Sequence, residues 1–467
     1  MFDFIRGRFS HQFNSFRRQW CRERTLPFTD VLSPERVGAL LVEEGVEFRQ
    51  SVFTPLVTLW TFLGQVFHPD HSCREAVARL VAFLVGQGER PCAAGTGAYC
   101  EARQRLPERL LARLVRDSGN QLHARVLAPS LRIADRSVYV VDGTTVSMPD
   151  TPANQKAYPQ SRSQKPGVGF PIARLVTLFS LASGAVLDMA LGPCRGKGTG
   201  ETALVRRMLG RLQPNTVLLG DCYFCSYWML ALLLDRGVHA VFRLHQHRPV
   251  DFRSGRRLGR DDRLVVWRRP QRPSWMTEAD YEELVDELVI REVRVRLQQR
   301  GFRIRQVVVA TTLLEPSEAS AGEIADLFRA RWHAELHLRS LKAVLGMDVL
   351  RCKTPEMVQK EIWLHLLVYN LVRELMAQAA AQVMCEPHHI SFKGALQTLN
   401  CFQELLATLP KPRWPELLAT LFEAIATHRV ADRANRYEPR AVKRRPKPHD
   451  LLTVPRDVAR KRLLRAA

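Results

Sequence analysis

The sequence predicts an α/β protein: a mixed sheet flanked by helices, with a β-rich insertion and helical regions at both ends. Three observations carry that prediction. Short apolar, β-branched runs recur between residues 137 and 244 without alternation, the pattern of buried strands. Helix-period runs bracket them, FTPLVTLWTFLGQVF before and DLFRARWHAELHLRSLKAVL after. Residues 249 to 306 read differently, with strand-like alternation in place of buried runs.

Taken in order, residues 35 to 125 have helical periodicity in FTPLVTLWTFLGQVF, CREAVARLVAFLVG and RLPERLLARLVRDSGNQL. Val138 to Ser147 reads as a first strand, Ala173 to Ala182 as a second and Ala185 to Leu191 as a third. The glycine-rich GPCRGKGTGE, residues 192 to 201, fails the Walker A spacing and reads as a strand-helix turn. Glu201 to Leu212 is helical, with an acid in its first turn and arginines later, as the macrodipole favours. A strand over Thr216 to Phe224, a helix over Ser226 to Arg236 and a strand over His239 to Leu244 follow. Three strands and then alternating helix and strand indicate a mixed sheet covered by helices. In such sheets, sites form where neighbouring strands present residues at one edge. Within the insertion, Val289 to Arg296 alternates and Val307 to Leu314 is an apolar run, both strands. Trp267 and Trp275 either stack on an unpaired base or pack a small core there. Residues 360 to 384 and 403 to 427 are amphipathic helices that could pair subunits.

Two aspartates interrupt apolar runs: Asp142 in SVYVVDGTTVSM and Asp221 in TVLLGDCYF. A carboxylate there is costly unless paired, hydrogen-bonded or bound to metal. One alone suits a turn-capping structural acid. Two, with an acid on a later helix, point to a metal cage. Asp188, in AVLDMALG, is a third strand acid and ranks lower, because its run is shorter and lacks a catalytic-looking flank. The later helix spans residues 326 to 345. Its Phe328, Arg331, Glu335 and Lys342 are offset by 0, 3, 7 and 14 positions. At roughly 100° per residue they fall within about 60° of one another. Arg331, Glu335 and Arg339 also form an i, i+4 ladder, which by itself is ordinarily a solvated helix face. The upstream aspartates change that reading: a carboxylate between two cations suits metal-dependent phosphoryl chemistry.

These residues resemble the DDE transposases of the insertion-sequence-four type, over about residues 35 to 375. The DGTT context of Asp142 matches, as does the GDCYF context of Asp221. The family signature is tyrosine, two residues, arginine, three residues, glutamate, six residues, lysine; here it reads Phe328, Arg331, Glu335 and Lys342 with every interval intact. Trp332 beside the arginine and the block YPQSRSQKPGVGFP are also typical. Phe328 departs from the pattern, keeping the ring and losing a hydroxyl. The resemblance implies an RNase H-like core in which Asp142, Asp221 and Glu335 bind two divalent ions, normally Mg²⁺, with Mn²⁺ able to substitute. Two metals about 3.5–4 Å apart stabilise the attacking and leaving oxygens of an in-line displacement. Arg331 and Lys342 would hold phosphates beside the scissile bond, with Phe328 and Trp332 as further DNA-binding positions. The implied activity is cut-and-paste transposition. Its partners would be double-stranded DNA, as terminal inverted repeats and as target, within a homodimeric synaptic complex.

The implied organisation divides the chain into five parts. Residues 1–130 form a helical DNA-binding region, 131–248 the first part of the core and 249–306 the β-rich insertion that contacts transposon ends. Residues 307–375 form the second part of the core with the glutamate helix, and 376–467 a helical C-terminal region with a basic tail. A non-catalytic DNA-binding descendant and a nuclease without strand transfer are the rival functions.

Composition agrees with a polyanionic partner. Lys and Arg number 69 against 47 Asp and Glu, a net charge of +22 and a pI near 10.1. Residues 429–467 carry 13 Lys/Arg against 4 Asp/Glu, which suggests a tail around KRRPKP that binds DNA backbone. The 10 cysteines are scattered without framework spacing, so the reading is a reducing, bacterial-type cytoplasm and no membrane. Cys222-x-x-Cys225 with His245 and His247 could be read as a zinc site, but cysteine beside a buried strand is ordinarily a small hydrophobe.

Overall fold

A computed structural model describes residues 32–46, 51–126, 131–296, 306–430 and 449–466. Cys21 and the KRRPKP segment lie outside the described residues.

The amino-terminal helices are α1 (Pro34–Glu43), α2 (Pro55–Phe67), α3 (Cys73–Gly86), α4 (Gly97–Arg105) and α5 (Glu108–Arg125). Ser33, Thr54 and Ser72 start the first three, each side chain accepting from a backbone N–H in the first turn. Pro34 and Pro55 follow their caps at the position where a missing N–H costs nothing.

The core then runs β1 (Val138–Ser147), α6 (Pro152–Ala157), β2 (Ile172–Ser180), β3 (Val186–Pro193), α7 (Glu201–Arg206), β4 (Thr216–Gly220), α8 (Tyr227–Leu234) and β5 (Val238–Arg243). β1 pairs antiparallel with β2 and parallel with β4, and β4 pairs parallel with β5. With β3 on the outer edge, the order β3-β2-β1-β4-β5 is the expected RNase H-like arrangement. Residues 249 to 306 supply β6 (Arg256–Gly259), β7 (Asp262–Arg268), α9 (Glu278–Glu282) and β8 (Glu287–Arg296), ahead of β9 (Gln306–Thr311). β9 pairs with both β5 and β8, so these strands extend the core sheet to nine, ending β5-β9-β8-β7-β6.

Alternation along β1 assigns its two faces. Val138, Val140 and Val146 enter the core shared with the amino-terminal helices, whereas Tyr139 and Val141 enter the core beneath α7, α8 and the insertion. The carboxy-terminal half is α10 (Ala321–Ala330), α11 (Trp332–Arg339), a π turn Ser340–Val344, and α12 (Pro355–Gln382), followed by α13 (Phe392–Thr408), α14 (Trp414–Thr427) and α15 (Arg456–Ala466). α12 is buried from Met357 to Met376 on nearly every face. Its Asn370 accepts from Val186 N at 2.8 Å and donates to Val115 O and Val186 O, joining α5 to the start of β3. Gly119 permits this approach, since a Cβ there would lie 2.0 Å from Val186 O. The expectation that residues 360–384 pair subunits is therefore corrected: most of that face is interior.

Two buried ion pairs fix the insertion. Arg291, 0% exposed, donates to Asp262 at 2.9 and 2.6 Å and to Ala319 O at 2.6 Å. Arg263 pairs with Glu292 at 2.6 Å. Trp267 is 3% exposed, with the Arg248 guanidinium 3.5 Å from its ring centre. Its burial removes the base-stacking reading and leaves the packing one. Trp275 stays 42% exposed under Arg206.

Candidate active site

β1 and β4 stay paired as far as Val140 and Leu219, and then part. Asp142 lies two residues beyond that last rung on β1, and Asp221 two residues beyond it after β4. The parallel register thus brings both acids to the place where the strands part, Asp142 midway along β1 and Asp221 just past the carboxyl end of β4. Asp221 stands one residue past β4, not within a longer strand, because it caps the 3₁₀ turn Cys222–Phe224. Each aspartate accepts from the next backbone N–H: Asp142 from Gly143 at 2.8 Å, Asp221 from Cys222 at 2.7 Å. Among the described residues neither forms an ion pair.

The glutamate helix crosses β1 and is tied to it. Ser147 donates to Asp348 O at 3.0 Å and accepts from Leu350 N at 2.8 Å, bridging the strand end to the chain just past Lys342. Glu335 opens α11, where Arg331 Nη2 donates to its Oε1 at 3.1 Å. Lys342 lies in the π turn, and its Nζ donates to Thr144 Oγ1 at 3.2 Å. Trp332 is 45% exposed beside the site. Phe328 is 8% exposed and belongs to the core, with the Arg331 guanidinium 5.9 Å from its ring centre. Its ring is packing the root of the helix and is not offered to solvent.

Burial is the largest influence on Asp142 and pushes its carboxyl from 3.8 up to about 6. The Gly143 hydrogen bond and the charge of Arg331 oppose that rise, while Glu335 and Glu201 add to it. These influences place Asp142, Arg331, Glu335 and Glu201 in one electrostatic neighbourhood. The donor set fits a hard divalent ion by its chemistry: oxygen ligands, two of them without a cation partner. Among the described residues no three His, Cys, Asp or Glu side chains already converge as a metal-holding group. Arg331 instead supplies the positive charge beside Glu335.

Other candidate residues resolve by their partners. Asp188 is 3% exposed and held by Arg116 at 3.0 Å and Arg211 at 3.2 Å, so it is a structural acid. Cys225 is buried, and burial pushes its thiol up to about 12, the behaviour of a packed hydrophobe. Two residues near the acids escape sequence reasoning. Thr144 has only its place two residues after Asp142 as a signal, and Glu201 reads as an ordinary first-turn acid. No helix among the described residues is long and apolar enough to cross a membrane.

Residues 133–371, just over half the chain, match the family described as Transposase DDE domain. The chain is 27% identical over 424 residues to the transposase InsG of insertion sequence element IS4 from Escherichia coli strain K12, covering 89% of this chain and 91% of that one. It is 38% identical over 69 residues to the Escherichia coli transposase for insertion sequence element IS421, covering 15% and 19% respectively. A structural neighbour is the piggyBac transposase in its synaptic complex with hairpin DNA, with TM-score 0.41, 9% identity, and coverage of 97% and 89%.

Proposed function

We propose that in this chain, which belongs to the transposase DDE domain family and catalyses DNA cleavage and strand transfer in transposition, Asp142, Asp221 and Glu335 are the catalytic carboxylates. The observation that carries the assignment is the pair of cation-free aspartates where the adjacent parallel strands β1 and β4 part, with Glu335 on a helix tied across β1. The family is generally dependent on divalent metal. Here we assign two Mg²⁺ ions, replaceable by Mn²⁺, to the three carboxylates; bound there, they supply charge stabilisation at the attacking and leaving oxygens.

The remaining steps belong to the chain. Asp142 would hold the ion as a carboxylate, and the ion's charge would offset the burial that favours its protonated form. Glu335 would hold the ion as a ligand, and Arg331 beside it would take a phosphate oxygen pair in its planar fork. Lys342, already aimed at β1 through Thr144, holds a second phosphate oxygen. Trp332 presents its exposed ring to the DNA, and Phe328 fixes the helix from below. DNA is the partner. Terminal inverted repeats as the recognised ends, a homodimer bridging two ends, the five-part organisation and a cytoplasmic setting belong to the proposal, and the +22 charge supports the DNA contacts.

Glu335→Gln tests the assignment. The variant is expected to bind end DNA normally and to lose Mg²⁺-dependent nicking by at least about 100-fold, comparable to the upper range for losing support of a metal ligand. Normal cleavage would sink the assignment. Joined donor-target products from the wild-type protein separate a transposase from a simple nuclease.

A further inference from the structure

We propose that Arg248, stacked on Trp267 in a groove that opens beside the Asp221 turn, binds a backbone phosphate of the DNA strand leaving the catalytic site. The inference deepens the reading above and rests on it, taking Asp221 as the carboxylate from which that strand departs.

The placement follows from the sheet. β4 and β5 are parallel and stay paired as far as Gly220 and Phe242, so Asp221 and Arg243 stand at the same level. The chain after β5 therefore emerges at the edge that carries Asp221. It turns at once: Arg248 N donates to His245 O at 3.0 Å, and His247 N donates to His245 Nδ1 at 3.3 Å. Cys225 and Ser226 face this turn, directly after the 3₁₀ turn that Asp221 caps. Together they line an open groove of about 640 Å³, with Trp228 and Trp267 among its other walls. That volume is within the roughly 300–1,000 Å³ of ordinary ligand clefts, room enough for the sugar and phosphate of a nucleotide.

A structural arginine in that position would be held by acceptors. Among the described residues, the Arg248 guanidinium forms no hydrogen bond and no ion pair, and its contact is the Trp267 ring, 3.5 Å from the ring centre. The carboxylate that lines the same groove, Glu292, is already taken, accepting from Arg263 at 3.0 and 2.6 Å. Arg263 is occupied in turn, its Nη1 donating to Ser254 O and Oγ. Burial pushes the Arg248 guanidinium below its ordinary value, against the pull of Cys225 and Glu292. A half-buried cation without a counter-ion is costly, and a phosphate would supply the missing charge. The stack also prepares the geometry. It engages the flat face of the guanidinium and leaves the N–H donors free in the plane, the fork that matches a phosphate. The indole beneath is 3% exposed, so it fixes the direction of the fork without itself meeting a base.

The test is DNA binding by the full-length protein in EDTA, followed by fluorescence anisotropy across a salt series. The probes are a duplex carrying the terminal repeat and a random duplex of equal length. Losing one phosphate contact lowers the slope of log affinity against log salt by about 0.9. Arg248→Gln is therefore expected to bind both duplexes roughly eight-fold more weakly at about 0.1 M salt, with the gap closing as salt approaches about 1 M. Arg248→Lys, which keeps the charge and loses the planar fork, should keep the wild-type slope. A folded Arg248→Gln with the wild-type slope, or one weakened on the repeat alone, overturns the inference. If Arg248→Gln does not fold, His247→Glu decides, because it sets a carboxylate beside the guanidinium from an exposed position. It is expected to weaken binding to both duplexes, and wild-type affinity there overturns the inference. Glu335→Gln keeps the two readings apart: it should bind normally in EDTA, and if it still cleaved in Mg²⁺ the carboxylate assignment would fall while the Arg248 result stood.

Discussion

Asp142→Asn should stabilise the metal-free protein while removing its chemistry. Burial raises the folded-state value from 3.8 to about 6, so the folded protein binds that proton more tightly than the unfolded chain does. Stability therefore falls as pH rises from about 4 to about 6, and the full cost of the charged carboxylate is present above that window. Two units correspond to about 3 kcal/mol at 1.36 kcal/mol each. Water reaches part of the side chain, so about 1–2 kcal/mol is the working figure. Asparagine keeps the shape, can still accept from Gly143 N, and carries no charge. Thermal melts in EDTA should then place the variant a few degrees above wild type at pH 8, at roughly 2–4 °C per kcal/mol for a domain of ordinary size. The gap should close below about pH 3, where wild-type Asp142 is neutral in both states. Mg²⁺ should raise the wild-type midpoint and leave the variant unmoved, because ligand linkage acts only on a protein that binds. A variant that melts below wild type at pH 8, or a gap independent of pH, would refute the argument that Asp142 is a desolvated carboxylate.

Two further outcomes follow from the insertion. Trp267→Ala should destabilise the protein by about 3–5 kcal/mol, as large aromatic deletions from cores do, whereas Trp275→Ala should change stability little; denaturant melts compare them. Asp262→Ala strands the fully buried Arg291 and should cost about 3–5 kcal/mol; replacing both residues with apolar ones of similar volume should cost less, and a double-mutant cycle measures the difference.

What was legible in the sequence depended on whether a residue broke a local rule. Asp142 and Asp221 stood out because carboxylates do not belong in apolar runs. Arg331, Glu335 and Lys342 stood out through their intervals along one helix. Glu201 broke no rule: an acid in a first turn satisfies the helix dipole, and nothing local tells that Gly143 will stand against it. The pairing of Asp188 was hidden for a related reason, since Arg116 lies 72 positions away in sequence. The sequence reading assigned no strand over β7, so nothing said which face there meets a core and Trp267 could be read either way. Strand order is likewise non-local, and β9 pairing with both β5 and β8 is set by packing that no periodicity records.

Precision at the site comes from the same non-local contacts. The proposed carboxylates are carried by different units: Asp142 and Glu335 by β1 and the helix bridged to it at Ser147, Asp221 by the turn after β4. A misplacement of about 1 Å in such an assembly can cost two orders of magnitude in rate. The two units meet through β1 itself, which pairs with β4 on one side and passes Gly143 beneath Glu201. Asn370 then ties the start of β3 to α5 and α12. Buried polar hydrogen bonds of this kind add modest stability, but leaving any one unmade is expensive, and that asymmetry selects a single arrangement. The chemistry is legible in a few carboxylates; the registration that makes them usable is distributed over the buried polar groups behind them.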